Sequence, residues 1–482
     1  MRCDSGPVET RRDARWAART LAVTWVVCGA AVAAESAPDF FSTERAMREH
    51  SAGLRDPLGF SCAIPGGPLT VAAAVDLALC HNPATRAAWA SAHEQAAALG
   101  VAESAWLPQA SITGSAAREF GTHIDASGQE VSNAQNVADA AVNLSWTLYD
   151  FGARTGRITG ARDLLDAAAF NVSATAQQTV LNVVQAFYGV IAADAQQIAA
   201  RTTESVTAHS LEVAGTLRSG GAGTLADVLQ AETAHDEATL TRVQADAAAA
   251  TARGSLAVTL GLMADHSLVL SADPVPEQVP TLSGRMGDLI AEAARQRPDL
   301  AAAQAQRDAA AANVQVARAA GRPVISVIAG HQFSYATGSA NQDYSQVGLN
   351  ITVPIFTGFD VTYGVRQAQA ALEVSEVNVD QVRLGVSQGV WNAYYALKSA
   401  NEQLSTTAAL SKTAEENEQV ALGRYQAGVG TIVDVLTAQT AAATARQVRI
   451  NAELNWRVAR AQLALALGRL TGVEPLANDA LP

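Results

Sequence analysis

The stretch Gly223-Thr-Leu-Ala-Asp-Val-Leu-Gln-Ala231 recurs 207 residues later as Gly430-Thr-Ile-Val-Asp-Val-Leu-Thr-Ala438. Asn82-Pro83 similarly matches Arg297-Pro298, at a shift of 215 residues. Self-similarity at a nearly constant offset indicates a structural unit that is repeated along the chain. The difference between the shifts places about eight extra residues in the first copy, between Pro108 and Trp146. We expect them in a loop, because loops tolerate insertions.

Each copy, residues 69–265 and 283–471, has the same predicted order of elements. A helix interrupted by proline leads into a polar, β-branched hairpin, then a long helix without proline and a helix that returns. We expect hairpins at about 110–149 and 324–356, long helices at 153–217 and 361–426, and return helices at 224–262 and 431–470. At 1.5 Å per residue, a helix of about 65 residues is roughly 98 Å long.

The hairpins carry an alternating pattern. Val142, Leu144, Trp146 and Leu148 alternate with polar residues, and the stretch 347–356 alternates in the same way. Period two over about 9 to 11 residues is typical of a tilted membrane-spanning strand. The expected strand pairs are 110–120 with 139–149, and 324–334 with 346–356.

The N-terminus resembles a secretory signal peptide. Residues 1–34 contain a basic region, an apolar run from Leu21 to Val32 and the cleavage pattern Ala31-Val-Ala33. A membrane anchor is the alternative, but the run is shorter than the roughly 20 residues that span a bilayer. Cys62 and Cys80 remain after cleavage, and an even pair in an exported chain favours a disulfide over two free thiols.

Composition limits the classes of function. Hydrophobic residues make up 49% of the 482-residue chain and aromatic residues 5%, which favours Ala-rich packed helices. The net charge of -13 argues against nucleic acid, which binds Lys and Arg. Beyond the signal, no apolar stretch reaches the roughly 18 residues of a transmembrane helix, so any membrane segment is expected to be β-strand.

Four strands per chain are too few to close a barrel, and open sheet edges are not tolerated in lipid. The chain is therefore expected to share a barrel with copies of itself. A dimer would reach about 8 strands and a trimer about 12, and a wide conduit favours the trimer. Aromatic residues flank the strands, as in the girdles of outer-membrane barrels, although a soluble hairpin core would also gather them. The girdle candidates are Trp106, Trp146, Tyr149, Phe151, Phe356 and Phe359.

Several segments resemble the TolC-like outer-membrane efflux family across nearly the whole mature chain. They are His81-Asn-Pro83, Ala105-Trp-Leu-Pro108, Leu144-Ser-Trp-Thr-Leu-Tyr-Asp-Phe-Gly152, Pro354-Ile-Phe-Thr-Gly358 and Arg424-Tyr-Gln-Ala-Gly-Val-Gly-Thr-Ile-Val-Asp434. The resemblance implies a mainly helical fold, a homotrimer with a 12-strand barrel in outer-membrane lipid, and a 12-helix periplasmic tube. It also implies a periplasmic adaptor and an inner-membrane ABC or RND transporter as partners.

Cys62 with Leu77-Ala-Leu-Cys-His-Asn-Pro83 resembles the branch that serves type I secretion of toxins such as cyclolysin. This branch predicts an exit duct for a protein toxin. A duct for drugs or other small molecules is the alternative. A periplasmic coiled-coil adaptor is a second alternative, but it would not need alternating strands with aromatic flanks.

The family resemblance also predicts a gate at the periplasmic helix turns. It places Asp227, Asp434 and Tyr425 in the gate network, and three copies of Asp434 would form a carboxylate ring. Gly430 stands where some members have an arginine that ties the closed state, and Thr437 stands where some have a second pore acid. Arg218 or Arg424 is expected to take the place of that arginine. The turn residues Gly223, Thr224, Gly428, Gly430 and Thr431 are candidates for adaptor contact.

Both acids also have a purely structural interpretation. Thr224-x-x-Asp227 and Thr431-x-x-Asp434 are typical of a helix N-cap followed by an acid at the third helical position. No phosphate-loop, dinucleotide or zinc-protease motif is found in the sequence. We therefore expect no enzyme activity, no cofactor and no metal site.

Overall fold

The computed structural model describes residues 39–50, 54, 56–57, 64, 66–124, 127–271, 285–337 and 340–470. The predicted signal peptide, the tail at 472–482, Cys62 and part of the N-terminal segment 35–68 lie outside the described residues. Among the described helices, none combines the length and the apolar character needed to cross a bilayer.

The described elements follow the order expected of two repeated units. In chain order they are α1 (Thr43–His50), α2 (Val71–His81), α3 (Pro83–Glu103), β1 (Gln109–Ile124), β2 (Glu130–Tyr149), α4 (Ala153–Ser219), α5 (Leu225–Thr259), α6 (Met286–Gln296), α7 (Pro298–Ala319), β3 (Val324–Ala336), β4 (Gln342–Thr352), α8 (Asp360–Gln426) and α9 (Ile432–Ala466). Helices α4 and α8 have 67 residues each, a length of about 100 Å. The predicted mainly helical fold with a small β part is confirmed.

The four strands form one antiparallel sheet in the order β1-β2-β3-β4, so β1 and β4 are its open edges among the described residues. Residues that pair across the strands share a face of the sheet. One face is largely apolar and includes Ile112, Val142, Leu144, Trp146, Val327, Phe333, Val347, Leu349 and Ile351. The other includes Ser111, Asn143, Ser145, Ser326, Gly330, Gly348 and Asn350.

The extra residues of the first copy lie in strands, so the expectation of a longer loop was wrong. Strands β1 and β2 pair continuously from Gln109 with Ser145 to Ile124 with Glu130. The first hairpin therefore extends beyond the second. Strand pairing accounts for this, because it satisfies backbone groups that a long loop would leave to solvent. The amide of Gln135 also donates to Glu119 at 2.9 Å across this extension.

The second hairpin is shifted relative to the prediction. Strand β4 covers Gln342–Thr352 rather than 346–356. Pro354 explains the earlier end, because proline has no N–H to donate to the neighbouring strand. Val353 and Phe356 consequently lie outside the strand, in the connection to α8.

Helix α4 is the central element of the chain. It packs against α3 and α7 in the half that adjoins the sheet, and against α5 and α9 in the other half. Helix α8 packs against α7 and α9. The helical layer therefore runs α3-α4-α7-α8 near the sheet and α5-α4-α9-α8 farther away, with α8 at one edge.

Each proline break packs against a glycine at the end of a return helix. Gly261 follows α5 with a φ of +80°, and a Cβ there would lie 2.5 Å from the carbonyl oxygen of His81. Gly468 follows α9 with a φ of +75°, and its Cβ would lie 2.8 Å from the carbonyl carbon of Gln296. The breaks before Pro83 and Pro298 thus place backbone directly against the two helix ends.

A buried arginine fixes the junction between β2 and α4. The Arg154 guanidinium donates to the carbonyl oxygens of Thr147 at 2.6 Å and Leu148 at 2.9 Å. Its Nε lies 3.3 Å from a carboxylate oxygen of Asp150, and its Cζ lies 4.2 Å from the ring centroid of Trp106. The strand end and the helix start are therefore held as one unit.

Alanine at Gly261 should destabilise the protein because the left-handed φ and the contact with His81 both oppose a Cβ. We expect Gly261→Ala to lower the free energy of unfolding by about 1–3 kcal/mol. Gly189→Ala is the matched control, since a Cβ at this α4 position has open space. It should be neutral or stabilising by up to about 1 kcal/mol. Thermal unfolding followed by helical circular dichroism measures both, and equal midpoints would contradict the packing described.

Removal of the Arg154 guanidinium should leave the buried Asp150 carboxylate without its partner. We expect Arg154→Met to cost about 3–5 kcal/mol of unfolding free energy. Arg366→Met is the control, because Arg366 stacks on Tyr363 at the start of α8 but is exposed. The control should change stability by less than about 0.5 kcal/mol. Similar losses in the two variants would show that the Arg154 contacts do not hold the junction.

Candidate functional site

The predicted girdle residues lie where the strands join the helices. The indole N–H of Trp146 donates to the backbone oxygen of Trp106 at 2.9 Å, and the rings of Tyr149 and Phe151 are 4.7 Å apart. On the other hairpin, the rings of Phe356 and Phe359 are 5.7 Å apart. The structure therefore gathers all six candidates at the helical end of the sheet.

Cys80 is disulfide-bonded. Its predicted partner, Cys62, lies outside the described residues. Within the described ranges, no cluster of three or more His, Cys, Asp or Glu side chains is arranged to hold a metal ion.

The two turns far from the sheet have the same backbone design. After α4, Gly221 adopts a φ of +81° and the N–H of Ala222 donates to the Leu217 oxygen at 2.8 Å. After α8, Gly428 adopts a φ of +74° and the N–H of Val429 donates to the Arg424 oxygen at 3.0 Å. Both are Schellman motifs, in which glycine supplies the left-handed residue that ends a helix.

The glycines that follow each turn have little space for a side chain. A Cβ on Gly223 would lie 3.0 Å from the Arg218 nitrogen, and one on Gly430 would lie 3.2 Å from the Tyr425 nitrogen. The tight turns thus favour glycine at positions 223 and 430.

Both predicted caps are present. The Asp227 N–H donates to the Thr224 hydroxyl at 3.2 Å, and the Thr224 N–H donates to the Asp227 carboxylate at 2.9 Å. The corresponding distances for Asp434 and Thr431 are 3.2 and 3.0 Å, and the Thr431 hydroxyl also lies 2.8 Å from the carboxylate. These reciprocal bonds start α5 and α9.

Hydrogen bonds keep Asp434 ionised. The backbone N–H and then the hydroxyl of Thr431 lower the pKa of Asp434, and the nearby positive charge of Arg424 adds to this effect. Asp434 is exposed. Each chain therefore presents a fixed negative charge at the start of α9.

Tyr425 lies between the two helical hairpins. It is buried against Ala214 and Ala231 of the first hairpin and against Ile432 and Val435 of the second. Burial raises the pKa of Tyr425, and the charge of Asp227 raises it further, so the phenol stays neutral. The hydroxyl is buried without a hydrogen-bond partner in the described part of the chain. Tyr425 thus joins the hairpins by apolar contact.

The other predicted gate residues are available to partners. The side chains of Arg218, Arg424 and Thr437 are exposed and form no hydrogen bond or ion pair within the described ranges. The expectation that one of the arginines ties the closed state stays a prediction, because the described residues contain no such link.

An ion cluster between α8 and α9 did not emerge from the sequence. Arg446 lies 2.6 Å from Glu418 and 3.1 Å from Glu415, and Glu418 is buried. The two acids lie about one helical turn apart on α8, and the arginine lies on the return helix α9. Opposite charges on the two arms of a predicted helical hairpin are the signal that could have suggested the pairing, although the unequal spacing from the Gly428 turn would not have identified the partners.

Comparisons with known proteins fit this architecture. The model of the family described as outer membrane efflux protein matches residues 74–262 and 289–469. Protein CyaE of Bordetella pertussis is 32% identical, over 83% of this chain and 84% of that protein. The pyoverdine export outer membrane protein OpmQ of Pseudomonas aeruginosa is 25% identical, over 82% and 83%.

The solved structure of the outer-membrane channel OprN has the same fold. Its TM-score is 0.72 at 23% identity, and the match covers 83% of this chain and 89% of OprN. The family match extends over both repeated units and includes both helix turns. The chain therefore belongs to the outer membrane efflux protein family, and it is an outer-membrane channel rather than an enzyme.

Proposed function

We propose that three copies of this chain form the exit duct of a tripartite export system. The observation that carries the proposal is the sheet, whose two edges, β1 and β4, have no partner within the described residues. Lipid offers no hydrogen bonds to such edges. Pairing β1 of one subunit with β4 of the next closes a barrel of about 12 strands, with the apolar face outward and the polar face lining the duct.

The helices continue the duct into the periplasm. Helices α4 and α8 follow β2 and β4 after short connections, and each helix is about 100 Å long. In this assembly the turns at Gly223-Thr224 and Gly428–Thr431 form the far end of the tube. That end is where a periplasmic adaptor, and through it an inner-membrane ABC or RND transporter, would join.

The exported cargo is a protein toxin in this proposal. The resemblance of Leu77–Pro83 to the cyclolysin-exporting branch and the 32% identity with Protein CyaE support type I secretion. Small-molecule efflux is the second candidate, favoured by the similarity to the pyoverdine export protein OpmQ. The polar duct itself does not distinguish these cargoes, since the inner-membrane partner would select them.

The turns would act as the gate of the duct. Three Asp434 carboxylates, one from each subunit, would form a ring that attracts cations. Tyr425 joins the two helical hairpins of each subunit, α4–α5 and α8–α9, by apolar contact. The α8–α9 hairpin can therefore move without breaking a hydrogen bond of the phenol. Asp227 would contribute charge at the same level.

Replacing Asp434 should separate gating from capping. We expect Asp434→Ala to raise the leak conductance in planar bilayers and to reduce cation selectivity. Thr431→Ala is the matched control, because it removes the N-cap oxygen and retains the carboxylate, and it should keep the selectivity. Equal loss of selectivity in both variants, or none in either, would mean that Asp434 serves only as a cap.

The charge of Asp434 should persist in mild acid. A carboxyl whose pKa is lowered by folding contributes stability above its unfolded pKa of about 3.9, and this stability is lost as the pH falls through the lower folded value. Because the folded pKa of Asp434 is lowered, the carboxylate stays ionised between pH 7 and about pH 5. Cation selectivity should stay constant over that range. A loss of selectivity in that window would contradict the assignment of the charge to Asp434.

A deletion strain distinguishes the two cargoes. Loss of one large protein from the culture supernatant, with unchanged susceptibility to dyes, detergents and antibiotics, is the expected result. Complementation with the intact gene should restore secretion. Hypersensitivity with an intact supernatant would move the assignment to small-molecule efflux.

A further inference from the structure

Helix α8 carries an apolar stripe that no element of the described chain covers. Val377, Leu384 and Trp391 follow one another at intervals of seven residues and are 62%, 72% and 51% exposed. Tyr395 lies one turn beyond Trp391, with its ring centroid 5.0 Å from that of the tryptophan. Apolar residues at an interval of seven form the seam of a helix that packs against another helix.

In the first repeated unit, the equivalent positions of α4 are covered by another helix. At the shift of 207 residues, the counterparts of Leu384, Trp391 and Tyr395 are Gln177, Val184 and Tyr188 of α4, and all three are buried. Helix α9 and the residues after it cover them. The Gln177 amide donates to the Gly468 oxygen at 3.1 Å, and the Arg457 guanidinium lies 4.3 Å from the Tyr188 ring centroid.

Each unit has an apolar cluster at the level of its proline break, and only the first cluster includes residues from the other unit. The first contains α2, α4 and α5 and also receives Ala461, Ala464 and Leu470 from the other unit. The second contains the equivalent helices α6, α8 and α9, and none of the described residues of the other unit is among its buried members. The counterpart of Leu470 is Met263. Leu470 is 0% exposed, whereas Met263 is 79% exposed.

We propose that Met263 of one subunit inserts against Leu384 and Trp391 on α8 of the next subunit and completes the second cluster there. The contact repeats between subunits the packing that Leu470 makes within the chain. The α8 stripe is thus covered by a second copy of this chain, through the residues that follow its α5. This inference rests on the trimer proposed above.

Polar pairs support the same register farther along the helices. Within the chain, the Gln196 amide on α4 donates to the Asn451 oxygen on α9 at 3.0 Å. The counterparts at the shift of 207 are Gln403 on α8 and Gln244 on α5, which are again two amides and are both exposed. An amide pair between subunits would therefore continue the seam that Met263 begins.

Cysteine cross-linking tests the contact. The double variant Met263→Cys with Leu384→Cys should give linked dimers and trimers on a non-reducing denaturing gel after mild oxidation. Both single variants and the unmodified protein report the background, including the native disulfide of Cys80. The matched control combines Met263→Cys with Val420→Cys, an exposed residue of α8 about 54 Å from Leu384 along the helix. It should remain unlinked.

The outcomes test the Met263 contact and the trimer independently. Linking of 263 to 384 well above the control supports the inference. A trimer by native mass measurement in which 263 links to 384 no better than to 420 would overturn the inference and leave the trimer intact. A monomer in the native measurement would overturn the trimer itself.

A variant without new cysteines gives an independent test. Met263→Asp should lower the temperature at which the trimer dissociates by more than about 5 °C, whereas Met263→Leu should retain it. Circular dichroism checks that the aspartate variant is folded. Unchanged dissociation of a folded Met263→Asp trimer would contradict the proposal.

Discussion

The backbone groups at the two edges of the four-stranded sheet impose the main constraint on this molecule. Unpaired N–H and C=O groups cannot be left in hydrocarbon, so β1 and β4 require partners that the described part of the chain does not supply. The same incompleteness appears in the helical layer, where α8 is an edge with an exposed apolar stripe. Sheet and helices thus point to the same kind of partner, a further copy of the chain.

The repeated unit accounts for how one chain meets this constraint. Each unit supplies two strands, a long helix and a return helix, and each return helix ends in a glycine that packs against a proline break. Gly261 meets the break before Pro83, and Gly468 meets the break before Pro298. These contacts lie about midway along the long helices. The two units differ on either side of these contacts. The buried Arg154 lies at the sheet end of the first unit only, and the Arg446 ion cluster lies toward the turn end of the second unit only.

Local features were predictable from the sequence, and features that depend on long-range pairing were less so. The caps formed by Thr224 and Thr431 followed from residues three positions apart. The ends of the strands did not, because pairing across the hairpin extended β1 and β2, and Pro354 shortened β4. Tyr425 was assigned to the gate by resemblance. The sequence could not show that its hydroxyl is buried or that it lies between the two hairpins.

The central claim is that three chains close one barrel, and imaging of the detergent-extracted protein by electron cryomicroscopy tests it most directly. The account predicts a threefold particle in which β1 of each subunit is hydrogen-bonded to β4 of the next, with the helices extended as a tube on one side. A particle of another symmetry, or one in which β1 pairs with β4 of its own chain, would contradict it.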